Sequence, residues 1–575
     1  MRQIRLLMVA APLALVWALA VGSGPSLAAA RSAELPDISA DDSPYGLFLA
    51  GQAAANAGRG DTAAAYFNRA AALEGGDQSG LLETRTFTAL LLSGDVTRAA
   101  AAAPTKSTDE PMMSRLGALT QAVEALAAHA PKRAYLLLTG AKVGAPNNGI
   151  AQLLAPWAAA DSGDYRAATV QPVIEGEPVA QFYAKLDQGK IFERFRHYDE
   201  AENTFRALIS SGDPGGIASL NLGQLLERRG RFADAAAIYV QALAHSPRDQ
   251  TLNAARVRAL AQGSAPSLPS VRQSAAEALV GPATVLIIQK QEEIALAYLR
   301  LALRLDPGNN EAWVLVGDVL ADMGDQSGAR DAYMMPKPGS HAYLVARGKL
   351  AWSYQTQGDK DAALRIAKAA HEHSPADQEA AATYADLLRA DEKYDESVKV
   401  LGPLIDSQGE HADWRLLYMR AVDLQENGNW PDAERDLTRA MAEAPDEPEL
   451  LNFLGYSWID RGKKLPEALA MVKKAVSLNP QSGATIDSLG WAYYRMGDYK
   501  NAVEQLEGAV VLEAGDPEIN DHLGDAYWRA GRRIEAQFQW RRVLTLEPTE
   551  KLKASVEAKL KSGLDASAGA NTAGS

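Results

Sequence analysis

The chain has 575 residues, a formal net charge of −14 and no cysteine. So acidic a protein is a poor general binder of DNA, RNA or anionic lipid. Without cysteine it can form no disulfide and has no thiolate chemistry. The length exceeds what a single compact core usually holds, but a linear array of repeats escapes that limit because it grows one unit at a time.

The N-terminus predicts export. Arg2 and Arg5 precede an apolar run from Leu6 to Val21, and the small residues Ala28 to Ala30 follow. We expect residues 1–30 to be a signal peptide that is cleaved after Ala30, with Ala28 as the second choice. The alternative is an uncleaved anchor, since about seventeen apolar residues lie at the lower limit of a membrane span. Because no cysteine follows the signal, lipid attachment of the bacterial lipoprotein type is excluded, and we expect a periplasmic protein.

After a polar linker at 31–43, residues 44–181 carry helical periodicity with a weak repeat signature. Gly94-Asp95 and Gly163-Asp164 are typical of the tight turn inside a helical hairpin. We expect degenerate helix pairs in this stretch.

From residue 182 to residue 550 a pattern of small and bulky residues recurs about every 34 positions. Three C-terminal copies read Leu-Gly-x-x-aromatic, with glycines at Gly455, Gly490 and Gly524. An alanine follows twelve or thirteen residues later in each copy, at Ala468, Ala502 and Ala536. Small residues at these places let the two helices of a hairpin approach closely, while the bulky residues around them lock neighbouring hairpins together. No unit can bury its apolar face alone, so only the stack is stable.

This pattern resembles the tetratricopeptide repeat (TPR). The resemblance implies an all-α solenoid of antiparallel helix hairpins wound into a right-handed superhelix, here in two segments. A Pro- and Ser-rich stretch (GSAPSLPS) predicts a break in the array, and Pro336 and Pro338 predict that one second helix ends early. The expected divisions are an N-terminal array at 182–262, an irregular loop at 263–275, a C-terminal array at 276–550, a capping helix at 551–562 and a disordered tail at 563–575.

In the TPR architecture the concave wall is formed by the second, fifth, ninth, twelfth and thirteenth positions of each unit. We predict partner binding at these positions in the last three repeats, because aromatic side chains anchor partners at little entropic cost and Arg and Asp fix orientation. The alternative is that some of the aromatic side chains only pack between hairpins. The residues concerned are Asn452, Tyr456, Asp460, Asp487, Trp491, Tyr494, Arg495, Asp521, Asp525, Trp528 and Arg529.

No enzymatic motif has supporting context. The sequence has no Gly-rich phosphate loop, no HExxH and no nucleophile elbow. The pair His371 and His373 could form a weak metal site, but exposed side chains at a helix end explain it better. We therefore predict no enzyme activity, no cofactor and no metal.

The last hundred residues, including LNFLGYSWIDRGKKLPEALAMVKKAVSLNP, resemble proteobacterial envelope repeat proteins, among them the adaptors of carboxy-terminal processing proteases. This resemblance implies a periplasmic scaffold or adaptor in cell-envelope or peptidoglycan turnover, with protein or peptide partners such as a periplasmic protease or a peptidoglycan-active enzyme. An assembly chaperone for secreted or outer-membrane proteins is the alternative, and a repeat array attached to an unrecognised enzyme module is less favoured. We expect no nucleic-acid partner, and no membrane span after signal cleavage.

Overall fold

The computed structural model describes residues 43–564, apart from 74–79, 105–110, 146, 172–173, 175–177 and 248. The predicted signal peptide, almost all of the 31–43 linker and the tail from residue 565 lie outside the described residues. Within them the regular structure is helical, and no strand occurs. No helix among them combines the length and the apolar character needed to cross a bilayer.

The helices follow one another as antiparallel hairpins, joined by short turns. Short 3₁₀ segments lie at Ala141–Val143, Pro214–Gly216 and Gly409–His411. In chain order the α-helices are α1 (Pro44–Asn56), α2 (Gly60–Ala72), α3 (Leu81–Ser93), α4 (Val96–Ala101), α5 (Pro111–Ala127), α6 (Pro131–Leu138), α7 (Asn148–Asp161), α8 (Tyr165–Ala168), α9 (Pro178–Arg194), α10 (Tyr198–Ser211), α11 (Ile217–Arg228), α12 (Phe232–His245), α13 (Gln250–Leu260), α14 (Val271–Ile288), α15 (Glu292–Leu305), α16 (Asn310–Asp322), α17 (Gln326–Met334), α18 (His341–Gln357), α19 (Lys360–His373), α20 (Gln378–Ala390), α21 (Tyr394–Gln408), α22 (Trp414–Glu426), α23 (Trp430–Glu443), α24 (Pro448–Asp460), α25 (Leu465–Leu478), α26 (Gly483–Arg495), α27 (Tyr499–Leu512), α28 (Pro517–Arg529), α29 (Arg533–Val543) and α30 (Glu550–Ser562).

In the hairpins that carry it, glycine at the eighth position of the repeat allows the two helices to cross closely. A Cβ built on Gly490 would lie 2.5 Å from Leu506 Cγ, and one on Gly524 would lie 2.5 Å from Trp540 Nε1. Real Cβ contacts are not this short, so the bulky residue sixteen positions later occupies the place of the missing side chain. The predicted close approach of the two helices of a hairpin at this glycine is confirmed.

The weak repeat signature of the N-terminal stretch reflects short second helices. Helices α4, α6 and α8 have 6, 8 and 4 residues, whereas α10 and α12 have 14 each. The expected turns are present: Gly94 and Gly163 adopt φ of 99° and 79°, and Asp95 and Asp164 cap the next helix. Left-handed backbone of this kind favours glycine because a Cβ would clash.

The described chain divides into two compact units, with the boundary between Ser353 and Tyr354. The expected break lay earlier, at 263–275. An irregular loop does occur there, but it ends at Ser270, which caps α14 in a reciprocal box with Gln273. Helix α11 holds the loop in place, because Arg228 Nη1 donates a hydrogen bond to Pro266 O at 2.9 Å. The loop therefore redirects the chain within the N-terminal unit and does not end that unit.

After this loop the chain returns to the N-terminal helices. Helix α14 packs against α7 and α9, and α15 packs against α3 and α5. Helices α3, α5, α7 and α9 are the first helices of their hairpins. In a TPR solenoid the face that first helices share is the concave one. Arg304 of α15 pairs with Glu124 of α5 through two hydrogen bonds of 2.7 and 3.0 Å. Tyr298 Oη donates to Asn147 Oδ1 at 2.7 Å. The groove of the N-terminal unit is thus filled by the chain's own α14–α15 hairpin.

Proline also shortens one helix as expected. Helix α17 ends at Met334 after nine residues, just before Met335-Pro336.

Helix α30 begins at Glu550, one residue before the predicted capping helix, with Thr549 as its N-cap.

Candidate partner-binding groove

The first helices α20, α22, α24, α26 and α28 of the C-terminal unit present the predicted binding positions on one face. The spacing of three or four residues between these positions places them together on a helix of 3.6 residues per turn. We call this face the C-terminal groove. The main packing partners of α20, α22 and α24 are their neighbours in the chain.

On α24 the groove carries Asn452, Tyr456 and Asp460. Asn452 is buried, and its Oδ1 atom accepts no hydrogen bond from any described residue. Tyr456 is half-buried. The backbone carbonyl of Asp460 accepts a 2.9 Å hydrogen bond from Arg495 Nη1, which ties α24 to α26. A buried amide oxygen without a partner is costly, so this position favours an incoming donor.

On α26 the predicted aromatic residues form a stack. The ring of Trp491 lies between Tyr494, at 4.5 Å between centroids, and His522 of α28, at 4.2 Å. The interplanar angles are 8° and 16°, so both faces of the indole are covered. Tyr494 also meets Tyr499 edge-on at 5.7 Å. This stack joins α26 to α28, and Trp491 offers a partner only its edge.

His522 holds the stack together electrostatically. Its Nδ1 atom lies 3.0 Å from both carboxylate oxygens of Asp487, which is buried. Burial alone would lower the pKa of His522, but the charge and hydrogen bond of Asp487, helped by Asp521 and Glu518, raise it to about 9. The imidazole is therefore protonated at neutral pH.

On α28 the predicted residues are covered by α30. Lys559 Nζ donates to both oxygens of Asp521 at 2.8 Å and to Asp525 Oδ2 at 2.9 Å. Asp525 also accepts from Trp540 Nε1 at 3.0 Å. Burial and the charge of Asp521 raise the pKa of Asp525 to about 6, against the lowering effect of Lys559. These two carboxylates are satisfied within the chain.

Trp528 and Arg529 complete the α28 set. The ring of Trp528 lies against Gly563 at the end of α30, and a Cβ on that glycine would overlap Trp528 Cζ2. Arg533 lies over the same ring, 4.9 Å from its centroid. Arg529 is exposed at the rim. Helix α30 therefore closes the groove at its last hairpin.

The groove along α20 and α24 has free carboxylates instead. Glu379 and Glu449 occupy the second position of their repeats, are exposed and have no hydrogen-bond or ion-pair partner among the described residues. Partial burial and the nearby Glu447 raise the pKa of Glu449, and Arg415 opposes this. By contrast Arg389 is fully engaged, since it contacts Asp423 at 2.7 Å and Asp386 at 2.8 Å. Arg415 of α22 is exposed at the same repeat position, between Glu379 and Glu449, so the second positions of these three helices carry two negative charges and one positive charge.

Sequence reasoning missed His522 and Lys559. Both follow from the pattern once the neighbouring helix is considered: His522 lies between Asp521 and Asp525 at the position that faces the preceding repeat, and Lys559 lies among the apolar positions of α30. A cation at an otherwise apolar helix position is a signal for a buried carboxylate opposite. Among the described residues no group of three or more His, Asp or Glu side chains is arranged to hold a metal ion.

The tetratricopeptide-repeat family model matches residues 186–250, 418–483 and 488–540. A TPR repeat-containing protein of Pseudomonas aeruginosa is 36% identical over 113 residues, which are 20% of this chain and 19% of that protein. The chain thus spans about a fifth of the curated relative that it matches. All three family-model stretches fall inside the arrays that the sequence predicts.

Solved structures with similar helical arrays also match. The crystal structure of the APC/C hetero-tetramer Cut9–Hcn1 is 16% identical, with coverage of 84% of this chain and 96% of that chain and a TM-score of 0.39. A tetratricopeptide repeat protein from Parabacteroides merdae ATCC 43184 is 15% identical, with coverage of 44% and 97% and a TM-score of 0.37.

Proposed function

We propose that this TPR-repeat solenoid is a non-catalytic periplasmic scaffold that holds a protein or peptide partner in its C-terminal groove. The observation that supports this most is the difference between the grooves. The N-terminal one is occupied by α14–α15, while Glu379, Glu449 and Tyr456 line an acidic, partly aromatic surface without an internal partner for the two carboxylates. In line with the resemblance of the last hundred residues, the partner is a periplasmic protease or a peptidoglycan-active enzyme.

The charge of the groove indicates a basic partner segment. Lys559 shows within this chain how such a segment would bind. Its ammonium group, carried by helix α30, contacts the carboxylates at the fifth and ninth positions of α28. A Lys or Arg of a partner helix would meet Glu449 in the same manner, and an amide donor would satisfy Asn452 Oδ1. Charge-assisted hydrogen bonds of this kind give both strength and orientation.

Cross-linking in cells followed by affinity purification tests the groove. The triple variant Glu379→Gln, Glu449→Gln, Tyr456→Ala removes the two free carboxylates and the Tyr456 ring from the groove without touching the His522 or Lys559 clusters. We expect at least tenfold less captured partner than with the wild type, since hydrogen bonds to charged groups are worth about 1.5–3 kcal/mol each.

The matched control is Glu396→Gln, Glu504→Gln, which changes the same charge at exposed positions of the second helices α21 and α27. It should capture as much partner as the wild type. Full capture by the triple variant would refute binding in the groove. Capture of many unfolded outer-membrane proteins in place of one folded enzyme would favour the chaperone alternative.

Cell fractionation with N-terminal sequencing tests the location. We expect a periplasmic protein that begins at Arg31. A chain that keeps Met1 and stays in the cytoplasm would overturn the export proposal while leaving the groove proposal intact.

A further inference from the structure

A cleft of about 570 Å³ lies within the N-terminal unit and contains none of the C-terminal groove residues. Its walls come from α1, α2 and α3 on one side and from α15, α16 and α17 on the other. Sites for small organic ligands commonly have volumes of about 300–1,000 Å³, so this cleft is large enough for one.

Arg300 of α15 is a largely buried cation in this cleft whose bonding is incomplete. Its Nε atom donates to Leu92 O at 3.0 Å, at the end of α3. No other hydrogen bond or ion pair reaches its guanidinium from the described residues, so the four N–H groups of Nη1 and Nη2 are unfilled. Burial lowers the pKa of Arg300 to about 10, and the charge of Asp325 only partly opposes this.

The next arginine of the same helix has an ion-pair partner among the described residues, unlike Arg300. Arg304, one turn later, makes a two-pronged pair with Glu124 at 2.7 and 3.0 Å. Its pKa is raised, first through the hydrogen bonds to Glu124. Arg304 therefore serves the packing of α15, whereas Arg300 keeps the flat, two-donor edge that matches a carboxylate.

The remaining walls combine a second cation with adaptable apolar surface. Arg85 of α3 lines the cleft, is exposed and has no partner among the described residues. Trp313 donates its indole N–H to Pro307 O at 3.0 Å, so its ring is left as apolar wall. Met323 and Met335 are 43% and 48% exposed. Exposed methionines adapt to flexible hydrocarbon ligands.

Three acidic residues limit the charge that the cleft accepts. Glu293, Asp325 and Asp331 line the same space. They would repel phosphate groups and polyanions, which place two or more negative charges together. With Arg300 and Arg85 these acids give the lining a net charge of −1, so a ligand with one carboxylate, held directly on the two cations, meets the least repulsion.

We propose that this cleft is a second binding site, which takes an amphipathic monocarboxylic acid. The carboxylate lies on the free edge of Arg300, in the cleft that Arg85 also lines, and the hydrocarbon or aromatic body lies against Trp313, Met323 and Met335. This site is independent of the partner-binding groove, because it uses residues of the other unit only.

Calorimetric titration of the full chain with decanoate, and with decanol as the uncharged match, tests the site. We expect one decanoate per chain and at least tenfold weaker binding of decanol, because the alcohol leaves the Arg300 donors unfilled. Equal affinity for the two probes, or many weak sites per chain, would overturn the proposal. This comparison uses the unmodified protein, so it does not depend on how any variant folds.

Substitution then places the site. Arg300→Gln should weaken decanoate at least tenfold while decanol binding is unchanged. Arg85→Gln, at an exposed residue without a structural contact, should weaken decanoate several-fold. Arg206→Gln, an exposed arginine of α10 that does not line the cleft, is the control and should have no effect. If both cleft variants bound decanoate with wild-type affinity, decanoate would bind elsewhere on the chain and the assignment of the site would be refuted.

Discussion

The N-terminal and C-terminal units form the same kind of groove but differ in how much of it other helices of the chain cover. In the N-terminal unit the first-helix face is covered by α14 and α15, which the chain returns to that face after the loop ending at Ser270. Among the described residues of the C-terminal unit, α30 covers α28, and the free carboxylates of α20 and α24 remain. A repeat array therefore does not supply a ligand groove by itself. Whether the face stays free depends on what the chain does between repeats.

The closure of the last hairpin gives the largest expected effect. Lys559→Met removes the ammonium group that contacts Asp521 and Asp525 and leaves both carboxylates buried. Breaking a buried ion pair on one side costs about 3–5 kcal/mol, so we expect the C-terminal unit to lose about 4 kcal/mol at pH 8. Chemical denaturation followed by the fluorescence of the C-terminal tryptophans measures this loss.

The pH dependence of that loss identifies its cause. Without Lys559 the pKa of Asp525 in the folded state rises further above its unfolded value, so protonation favours the folded variant. The deficit relative to the wild type should shrink as the pH falls from 8 to 4. Lys561→Met, on the exposed side of the same helix, should change stability by less than about 0.5 kcal/mol. A deficit that stays constant with pH would show that Lys559 acts by packing alone.

His522 predicts a second pH dependence in the same unit. Its pKa is about 9 in the folded chain against 6.5 for the free side chain. The stabilisation is therefore complete below pH 6.5 and is lost as the pH rises through 9. A difference of this size corresponds to about 3 kcal/mol. Denaturation of the wild type and of His522→Gln at several pH values measures it: the two curves should converge between pH 6.5 and 10, and parallel curves would contradict the pairing with Asp487.

The repeat pattern predicted the hairpins well because it records backbone approach within one unit. Gly490 and Leu506 are sixteen residues apart, and their contact is fixed by local helix geometry. The sequence also indicated the turn at Gly94 and the early end of α17. It could not indicate that Arg304 meets Glu124, 180 residues earlier, because that contact depends on the path of the loop before α14. The same limit applies to the groove: the positions followed from the repeat, but the covering of Asp521 and Asp525 by Lys559 depends on where α30 packs.

The hairpin crossing gives an intermediate effect, confined to one unit. Gly490→Leu places a side chain where Leu506 Cγ lies 2.5 Å from the ideal Cβ position. Overpacking of this kind costs about 2–3 kcal/mol, and we expect the loss only in the transition of residues 354–564. Gly508→Ala is the matched control on α27, where the nearest atom is 4.0 Å away. Alanine there should be neutral or stabilise by up to about 1 kcal/mol, since it is the better helix former. Equal losses of stability in the two variants would mean that helix propensity, and not the distance between the crossing helices, determines the effect of substituting these glycines.

The filled N-terminal groove gives the smallest effect and the most direct test of the comparison between the units. Arg304→Ala removes the paired guanidinium from Glu124, whose side chain is only 18% exposed. Losing a charged hydrogen-bond partner costs about 1–3 kcal/mol, and because Glu124 is partly exposed and keeps the 3.3 Å hydrogen bonds from Thr97 Oγ1, we expect a loss near the lower part of that range. Amide hydrogen exchange should show faster exchange in both α14 and α15, because the hairpin is held to α5 by this pair. Arg206→Ala, which breaks an exposed pair with Glu202, should change stability by less than about 0.5 kcal/mol and leave exchange in α14–α15 unchanged. If Arg304→Ala left exchange in α14–α15 at the wild-type rate, the hairpin would be held by its apolar packing, and the ion pair would only set the register in which it lies against the first helices.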